Sequence, residues 1–146
     1  FSKITGNVYG HVEKYRMDGA EAVIITMSSA AGTAKTVVDK MRGEGKKVGL
    51  LKLRTFRPFP YAEVAEAISD AKHVGVLDRA LSFGAHAPLY GEVIGSLYDR
   101  GIKVNLQSYV FGLGGRELFN TDIEGAFKDL LTIKASGGQK YLGLRE

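Results

Sequence analysis

Hydrophobic residues are distributed along this chain in two alternating patterns. Four short runs, at residues 22–27, 48–53, 73–77 and 104–110, are mostly rich in β-branched or aliphatic side chains, which is typical of strands. The first two runs are apolar enough to be buried on both faces, as the strands of a parallel sheet are. After each run, apolar residues recur at the i, i+3, i+4, i+7 spacing of a helix with one buried face. These four sets are Ala34, Val37, Val38 and Met41; Val64, Ala67, Ile68 and Ala71; Tyr90, Val93, Ile94 and Leu97; and Ile123, Ala126, Phe127 and Leu130.

Strands that alternate with helices over short connections predict right-handed crossovers and a mostly parallel sheet. We therefore expect a three-layer α/β fold, in which a doubly wound sheet lies between two layers of helices. Thr121 and Glu124 stand in the relation of a capping box and are expected to begin the last helix. A chain of 146 residues is long enough for one such domain, which we assign to residues 21–135.

The two ends of the chain carry weaker patterns. Residues 1–20 form a lead-in for which a helix is one possibility, although two glycines weaken it. That helix would be lined by Ile4, Val8, Val12 and Tyr15. Residues 136–146 form a tail after a Ser-Gly-Gly break, and Tyr141 and Leu142 would dock it either on this domain or on a partner. Because the chain begins with Phe1 and not with Met, we expect a fragment or a processed product.

The unusual loops of this chain all follow its strands. In a parallel sheet the carboxyl ends of the strands meet at one edge, where ligands usually bind. We therefore expect the loops at 28–33, 54–60, 78–84 and 111–117 to crowd together there. The candidate ligand or interface residues in these loops are Ser28, Ser29, Arg54, Arg57, Asp78, Arg79, Gly114, Gly115 and Arg116.

Each loop has a structural and a functional interpretation. The two serines and Thr33 would cap the first helix, or the helix start would hold a phosphate or carboxylate. Asp78 and Arg79 point in different directions as they leave a strand, which favours a helix cap or ion pair over a catalytic carboxylate. Phe56 and Phe59, exposed beside arginines, would form an interface. No pairing of a nucleophile with a base emerges, and we assign no catalytic residue.

Neither glycine-containing loop has the spacing of a nucleotide-binding motif. In the first, Ala34 stands where a Walker A loop needs a glycine before Lys-Ser/Thr. In the last, Glu117 occupies the third glycine position of a dinucleotide fingerprint, so a tight turn with positive φ angles is expected. The sequence therefore speaks against both ATP and NAD.

Composition and charge narrow the functional classes further. The net charge is +4, but residues 35–57 hold eight basic and only two acidic side chains. A solvated helix face and basic loop explain this stretch better than a site for phosphate or an acidic partner. Aromatic residues are not interleaved with these charges, which speaks against nucleic acid.

The absence of cysteine excludes a disulfide or a thiolate-held cluster in this chain. The three histidines have no zinc-ligand spacing, so we expect no metal site. The sequence has neither a membrane-spanning run nor a signal peptide, and we expect a cytoplasmic protein.

Four segments resemble one known family. Residues 37–60 (VVDKMRGEGKKVGLLKLRTFRPFP), 74–79 (VGVLDR), 82–93 (SFGAHAPLYGEV) and 111–117 (FGLGGRE) are similar to the alpha subunit of pyruvate (2-oxoacid):ferredoxin oxidoreductase. The resembling part is its second domain, which is like the transketolase C-terminal domain. The resemblance runs over roughly residues 8–127, so it is more specific than a single motif.

The resemblance implies a part in the CoA-dependent oxidative decarboxylation of a 2-oxoacid to an acyl-CoA, carbon dioxide and reduced ferredoxin. In that family, thiamine diphosphate, magnesium and iron–sulfur clusters belong to other domains or subunits. This chain has neither the GDG…N motif nor a cysteine, so we expect a scaffold and interface domain that is inactive by itself. The expected partners are the other subunits, with ferredoxin and CoA for the whole enzyme, and no nucleic acid or membrane. Pyruvate is the leading substrate, before oxalate and branched 2-oxoacids.

Two alternatives stay open at this point. One is a module that binds an anion or the phosphates of CoA at the loops. The other is the C-terminal domain of a different transketolase-like enzyme, although Phe59 follows the Leu-Arg-Thr-Phe-Arg-Pro segment where many of those enzymes carry an acidic residue.

Overall fold

The structure is a computed structural model that describes residues 2–5 and 10–144. The described elements, in chain order, are α1 (Ser2–Thr5), β1 (Val12–Tyr15), β2 (Ala22–Met27), α2 (Ala30–Gly43), β3 (Val48–Leu53), α3 (Tyr61–Ile68), β4 (His73–Asp78), α4 (Pro88–Asp99), β5 (Asn105–Val110), α5 (Asn120–Thr132) and β6 (Lys140–Tyr141). A single 3-10 turn, Leu113–Gly115, lies between β5 and α5. The four strands and four helices predicted from periodicity are all present.

The strands form one six-stranded sheet in the order β1-β3-β2-β4-β5-β6. All neighbouring pairs are parallel except β1 with β3. Helices α2 and α5 pack on one face of the sheet, and α3 and α4 pack on the other. The predicted fold class, a three-layer and mostly parallel α/β sheet, is therefore confirmed.

The winding of the sheet changes direction between β2 and β4. These strands are parallel neighbours, paired from Ala22 with His73 to Ile25 with Val76. The chain leaves β2 for α2 on one face but leaves β4 for α4 on the opposite face. We call the carboxyl edge of the sheet the rim. The two loops diverge there and leave an opening. Open α/β sheets bind ligands at such a switch point.

The lead-in contains a strand where a helix was one interpretation. Val12–Tyr15 is β1, with Val12 opposite Leu53 and Tyr15 opposite Leu50. Val12 packs on the face of α3 and α4, and Tyr15 packs on the opposite face. Residues three apart lie on opposite faces of a strand but on the same face of a helix, so the helical interpretation is wrong for Val12 and Tyr15. Ile4 lies in α1 and is exposed, while Val8 lies outside the described residues.

The tail is part of the domain. Lys140 and Tyr141 form β6 and pair with Tyr109 and Val110 at the end of β5. Leu142 packs against the core under α2 and α5. Of the two dockings that the sequence left open, the structure shows the one on the domain itself.

The expected capping box at Thr121 is wrong. Helix α5 begins at Asn120, and the backbone N–H of Phe119 donates to Asp122 Oδ2 at 2.9 Å. Glu124 instead accepts from Lys40 Nζ at 2.8 Å, which ties α5 to α2. The local sequence pattern did not contain this contact, because Lys40 is 84 residues away in the chain.

Candidate functional site

A cavity of about 430 Å³ opens at the rim between β2 and β4. We call it the crevice. Its wall combines residues that end or follow β2, residues that end or follow β4, and the start of α4. The apolar side chains that line it are Met27, Ala30, Phe56, Leu77, Ala80, Pro88, Leu89 and Phe111, and the polar ones are Thr26, Ser28, Ser29, Asp78 and Arg79.

A second, more polar cavity of about 270 Å³ adjoins the crevice. We call it the hollow. Crevice and hollow share Ser29, Ala30, Arg79 and Phe111 in their linings, so they are neighbours. The charged and hydroxyl side chains that line the hollow are Ser29, Thr33, Arg79, Arg116 and Glu117. The loops after β2, β4 and β5 therefore meet at the rim.

Asp78 caps α4. Its Oδ1 accepts a hydrogen bond from the backbone N–H of Leu89 at 2.9 Å, and its Oδ2 accepts one from Tyr90 at 3.1 Å. The side chain is buried, and burial raises the pKa of this carboxyl, although the two backbone hydrogen bonds oppose the shift. Asp78 thus supplies the acceptors that Ala87, the residue before the helix, lacks.

Arg79 extends away from Asp78 and packs against the loop after β5. A Cβ atom on Gly112 would lie 3.2 Å from Arg79 Nε and 3.3 Å from its Cγ. Gly112 also has a φ of 70°, which a residue with a side chain rarely adopts. The exposed Arg79 forms no ion pair with any carboxylate in the described part of the chain.

The start of α2 has no side-chain cap. Ser28 has a φ of 56°, and Ser29 takes the N-cap position without a hydrogen bond from its hydroxyl. The interpretation of the serines and Thr33 as capping side chains is therefore wrong. The first turn of α2 contains no acidic residue, and the N–H groups of Ala31 and Gly32 donate to the carbonyl groups of Ser28 and Ser29 at 3.2 and 3.1 Å.

The loop after β5 is a tight turn with positive φ angles, as its glycines predicted. Gly114 has a φ of 67° and Gly115 a φ of 74°. Gly115 lines the hollow, whereas Gly114 lines neither cavity. Arg116 Nη1 donates to the carbonyl of Gly143 at 2.9 Å, which fixes this arginine between the hollow and the tail.

Arg54 and Arg57 line neither the crevice nor the hollow. Arg54 donates to Glu13 Oε2 at 2.9 Å, and Glu13 also accepts from Lys35. Those hydrogen bonds, the one from Lys35 above all, hold the pKa of Glu13 below its usual value. Arg57 forms an ion pair with Glu92 at 2.8 Å and lies over the ring of Phe56.

The aromatic loop after β3 is more buried than the sequence indicated. Phe59 is 7% exposed and belongs to the core under α3 and α4. Phe56 is half-buried, packs against that core and lines the crevice. The prediction of an exposed aromatic interface at these two residues is therefore wrong, because both rings find apolar neighbours that are distant in sequence.

The basic stretch at 35–57 is largely paired with carboxylates from other parts of the chain. Lys40 contacts Glu124, and Lys47 lies 4.0 Å from Glu21. Arg42 donates to three backbone carbonyl groups, those of Arg16, Asp18 and Val48. The stretch is spread over α2, β3 and the loops beside them.

Thr26 is a residue of the crevice that the sequence did not indicate. It lines the crevice and is 1% exposed, and its Oγ1 has no hydrogen-bond partner in the described structure. In the sequence Thr26 lies inside an apolar run, where a threonine indicates only a strand. No local pattern distinguishes it.

The residues of this chain do not fit an iron–sulfur cluster. An iron–sulfur cluster needs thiolates, and the chain has no cysteine. Among residues 2–5 and 10–144, no three His, Asp or Glu side chains converge as a metal site would require. Every helix in those ranges is too short or too polar to cross a lipid bilayer.

Comparison with known proteins agrees with the fold and the motifs. Residues 20–123 match the family described as pyruvate:ferredoxin oxidoreductase core domain II. The chain is 47% identical to pyruvate synthase subunit PorA of Thermotoga maritima, with all of this chain and 38% of that protein covered. It is 39% identical to ketoisovalerate oxidoreductase subunit VorA of Pyrococcus abyssi, with 86% of this chain and 32% of that protein covered. The chain thus matches about a third of the length of these relatives.

Two solved structures share the fold. One is a 2-oxoglutarate:ferredoxin oxidoreductase from Magnetococcus marinus, solved with 2-oxoglutarate, coenzyme A and succinyl-CoA bound. It has a TM-score of 0.63 and 21% identity, and 90% of this chain and 21% of that chain are covered. The other is a split-gene transketolase with a TM-score of 0.63 and 15% identity, covering 80% of this chain and 40% of that chain. The family match over residues 20–123, and not these distant folds, identifies the family. The chain belongs to the family of pyruvate:ferredoxin oxidoreductase core domain II.

Proposed function

We propose that this chain is a scaffold and interface domain of a 2-oxoacid:ferredoxin oxidoreductase and is not catalytic by itself. The observation that carries the proposal is its match, over its whole length, to 38% of pyruvate synthase subunit PorA. A domain of such an enzyme contributes to a reaction whose other parts lie outside this chain.

The exposed apolar residues at the rim support a role in assembly. The loop between β4 and α4 carries Leu81, which is 43% exposed, and Phe83, which is fully exposed. Phe119, before α5, is 58% exposed. Apolar and aromatic side chains left in water at one edge of a domain are typical of a surface that another domain or subunit covers.

The reaction of the complete enzyme is proposed from the relatives. It is the oxidative decarboxylation of pyruvate or a similar 2-oxoacid, yielding an acyl-CoA, carbon dioxide and reduced ferredoxin. The acid stays open, because the relatives include both pyruvate synthase and ketoisovalerate oxidoreductase subunits. Thiamine diphosphate, bound with magnesium in another domain, would supply the carbanion chemistry. The iron–sulfur clusters would also lie outside this chain. The residues of this chain would support the thiamine diphosphate site. The cytoplasmic location stays a prediction.

The proposal is tested by comparing this chain alone with the complete enzyme. We expect the chain alone to oxidise no 2-oxoacid when a reducible acceptor and CoA are supplied. In the complete enzyme, the double variant Leu81→Asp and Phe83→Asp should lower the yield of assembled complex, measured by size-exclusion chromatography with light scattering.

Tyr98→Asp provides the matched control, since Tyr98 is 85% exposed but lies near the end of α4, at the opposite edge of the sheet. Turnover of pyruvate by the chain alone would contradict the noncatalytic role. Unchanged assembly of the double variant would contradict the interface.

A further inference from the structure

The loop between β4 and α4 borders the crevice at both of its ends. Ala80, directly before residues 81–86, belongs to the crevice lining, and so do Pro88 and Leu89 at the start of α4. The hydrogen bond from the N–H of Leu89 to Asp78 Oδ1, at 2.9 Å, ties the two ends to each other. Residues 81–86, which we call the rim loop, are therefore anchored on both sides at the edge of the opening.

Few contacts hold the rim loop in its position. In the described part of the chain, residues 81–85 form one hydrogen bond, from the backbone N–H of Ala85 to the carbonyl of Ser82 at 3.3 Å, and it lies inside the loop itself. Gly84 has a φ of 70°. Only at the end of the loop does a side chain contact a helix, where the ring of His86 lies 5.5 Å from that of Tyr90. A segment with so few contacts changes its position at little cost in free energy.

Phe83 and the crevice each lack the apolar contacts that the other would supply. The ring of Phe83 is fully exposed. The crevice, of about 430 Å³, has a mostly apolar wall that includes Met27 and the ring of Phe111. Burial of the ring there would remove both apolar surfaces from water, which is favourable. Phe83 is three residues from Ala80, at most about 10 Å of extended chain, so its ring reaches the crevice while the ends of the loop stay in place.

We propose that the rim loop is a lid with an open position, which this structure shows, and a closed position in which the ring of Phe83 lies in the crevice against Met27. The closed position predominates in the free chain, because the open one leaves the ring and the crevice wall in water. The open position presents Phe83 to another subunit. Closure is a property of the chain by itself, so the inference goes beyond the proposed role in assembly, and its failure would leave the assembly test unaffected.

Nuclear magnetic resonance of the purified chain with ¹³C-labelled methionine methyl groups tests the closed position. The magnetic field of an aromatic ring shifts the resonance of a methyl group that lies against it. We therefore expect Phe83→Ala to shift the methyl resonance of Met27, and the wild-type chain to show a nuclear Overhauser effect between that methyl group and the Phe83 ring. An open lid predicts neither effect, since the ring is then in water.

Phe119→Ala is the matched control for this measurement. Phe119 is another exposed phenylalanine at the rim, but it lines neither the crevice nor the hollow. Its removal should leave the methyl resonance of Met27 unchanged. A Met27 resonance that is equally unaffected by Phe83→Ala would overturn the proposal.

Cleavage by chymotrypsin, which cuts after aromatic residues, measures how often the lid is open. Met27→Gln makes the wall of the crevice polar and should favour the open position, so cleavage after Phe83 should be about tenfold faster than in the wild-type chain. Met17→Gln is the control, because Met17 is also half-buried against the core under α3 and α4 but does not line the crevice. Thermal unfolding shows whether each variant is folded at the assay temperature. Equal cleavage after Phe83 in the wild-type and folded Met27→Gln chains would contradict closure of the lid.

Discussion

Asp78 shows how one side chain at the rim joins the sheet to a helix. It ends β4, is buried, and accepts from two backbone N–H groups at the start of α4. The same residue is the acidic member of the pair that the sequence singled out. Its carboxylate has both oxygens engaged, so the structure gives it a positioning task at the mouth of the crevice.

Asp78→Ala is expected to lower the free energy of unfolding by about 2 kcal/mol, because it leaves two N–H groups of α4 without acceptors. Asp78→Asn keeps one acceptor oxygen and should lower the free energy of unfolding by less. Urea unfolding followed by circular dichroism measures the stability of both variants. Asp99→Ala, at the exposed end of the same helix, is the control, and a loss no larger than in that control would contradict the capping role.

Gly75 is required by close packing between β4 and α5. A Cβ atom there would lie 2.8 Å from Leu130 Cδ1 and 3.0 Å from Tyr109 Cε2. Gly75→Ala is therefore expected to destabilise the chain by about 1–3 kcal/mol. Gly125→Ala, exposed within α5 with nothing near its Cβ position, should instead stabilise it by about 0.5–1 kcal/mol. The urea midpoints of the two variants measure these changes in stability. Equal changes at Gly75 and Gly125 would contradict the packing argument.

At the scale of elements, the C-terminal strand depends on a polar cluster. Tyr109 on β5 donates to Asp129 Oδ2 on α5 at 2.5 Å, and Lys140 on β6 donates to the same carboxylate at 2.7 Å. Burial by itself would raise the pKa of Asp129, but the hydrogen bonds from Lys140 and Tyr109 outweigh it and lower that pKa. The tail is thus held partly by a carboxylate that must be ionised.

Because the pKa of Asp129 is lower in the folded chain than in the unfolded one, its contribution is present above the ordinary aspartate pKa of about 4 and is lost as pH falls through the folded value. We expect Lys140→Met to be less stable than wild type by about 0.5 kcal/mol at pH 6, since the pair is partly exposed. This difference should shrink below pH 4. Lys134→Met serves as the control, and a difference independent of pH would contradict the assignment.

Removal of residues 136–146 tests the tail as a whole. Ser136 Oγ accepts from the N–H of Leu106 at 2.9 Å, and the buried amide of Gln107 donates to the carbonyl of Gly138. Deletion should lower the free energy of unfolding by about 2 kcal/mol or more, because buried polar groups lose their hydrogen-bond partners. It also opens the edge of β5 to pairing with another chain. Urea unfolding and analytical ultracentrifugation measure the two effects. A shortened chain that is as stable as the intact chain, and that associates no more than the intact chain does, would contradict both expectations.

The sequence predicted the elements whose burial follows a regular period. β2 and β3 are apolar runs, and α2 to α5 each have one apolar face, so local spacing was sufficient. β1 has four residues, one of them exposed, and β6 has two exposed residues, so neither carries a hydrophobic pattern. Both exist because they pair with the sheet, which depends on distant parts of the chain.

The position of the site was also predictable, but its composition was not. The carboxyl ends of parallel strands meet whatever their sequence, so the rim followed from the topology. The role of each arginine depended on carboxylates far along the chain: Arg54 pairs with Glu13, 41 residues away, while Arg79 has no such partner in the described residues. Burial of Thr26 beside an opening is likewise a property of the folded chain.

At the scale of the whole molecule, the two cores share one sheet. The residues under α2 and α5 and those under α3 and α4 alternate along the same strands, as Ile24 and Ile25 do on β2. Loss of packing on one face therefore removes support from strands that the other face needs. The chain should unfold in a single cooperative step.

Leu130→Ala on α5 and Ile68→Ala on α3 test this cooperativity, since both side chains are fully buried but on opposite faces. Each variant should lower the free energy of unfolding by about 2–5 kcal/mol and shift one common transition. Circular dichroism and tyrosine fluorescence should report the same midpoint in each variant. Two separate transitions in either one would show that the faces unfold independently.

The pairing of β6 with β5 has a consequence for biosynthesis. β6 is the last strand of the sheet to leave the ribosome, about 30 residues after β5. Until residues 136–144 emerge, the outer edge of β5 is open and the amide of Gln107 lacks the acceptor that Gly138 will provide. At roughly 5–20 residues per second this interval lasts a few seconds, and a chaperone that binds strand edges would have that time to act on the nascent chain.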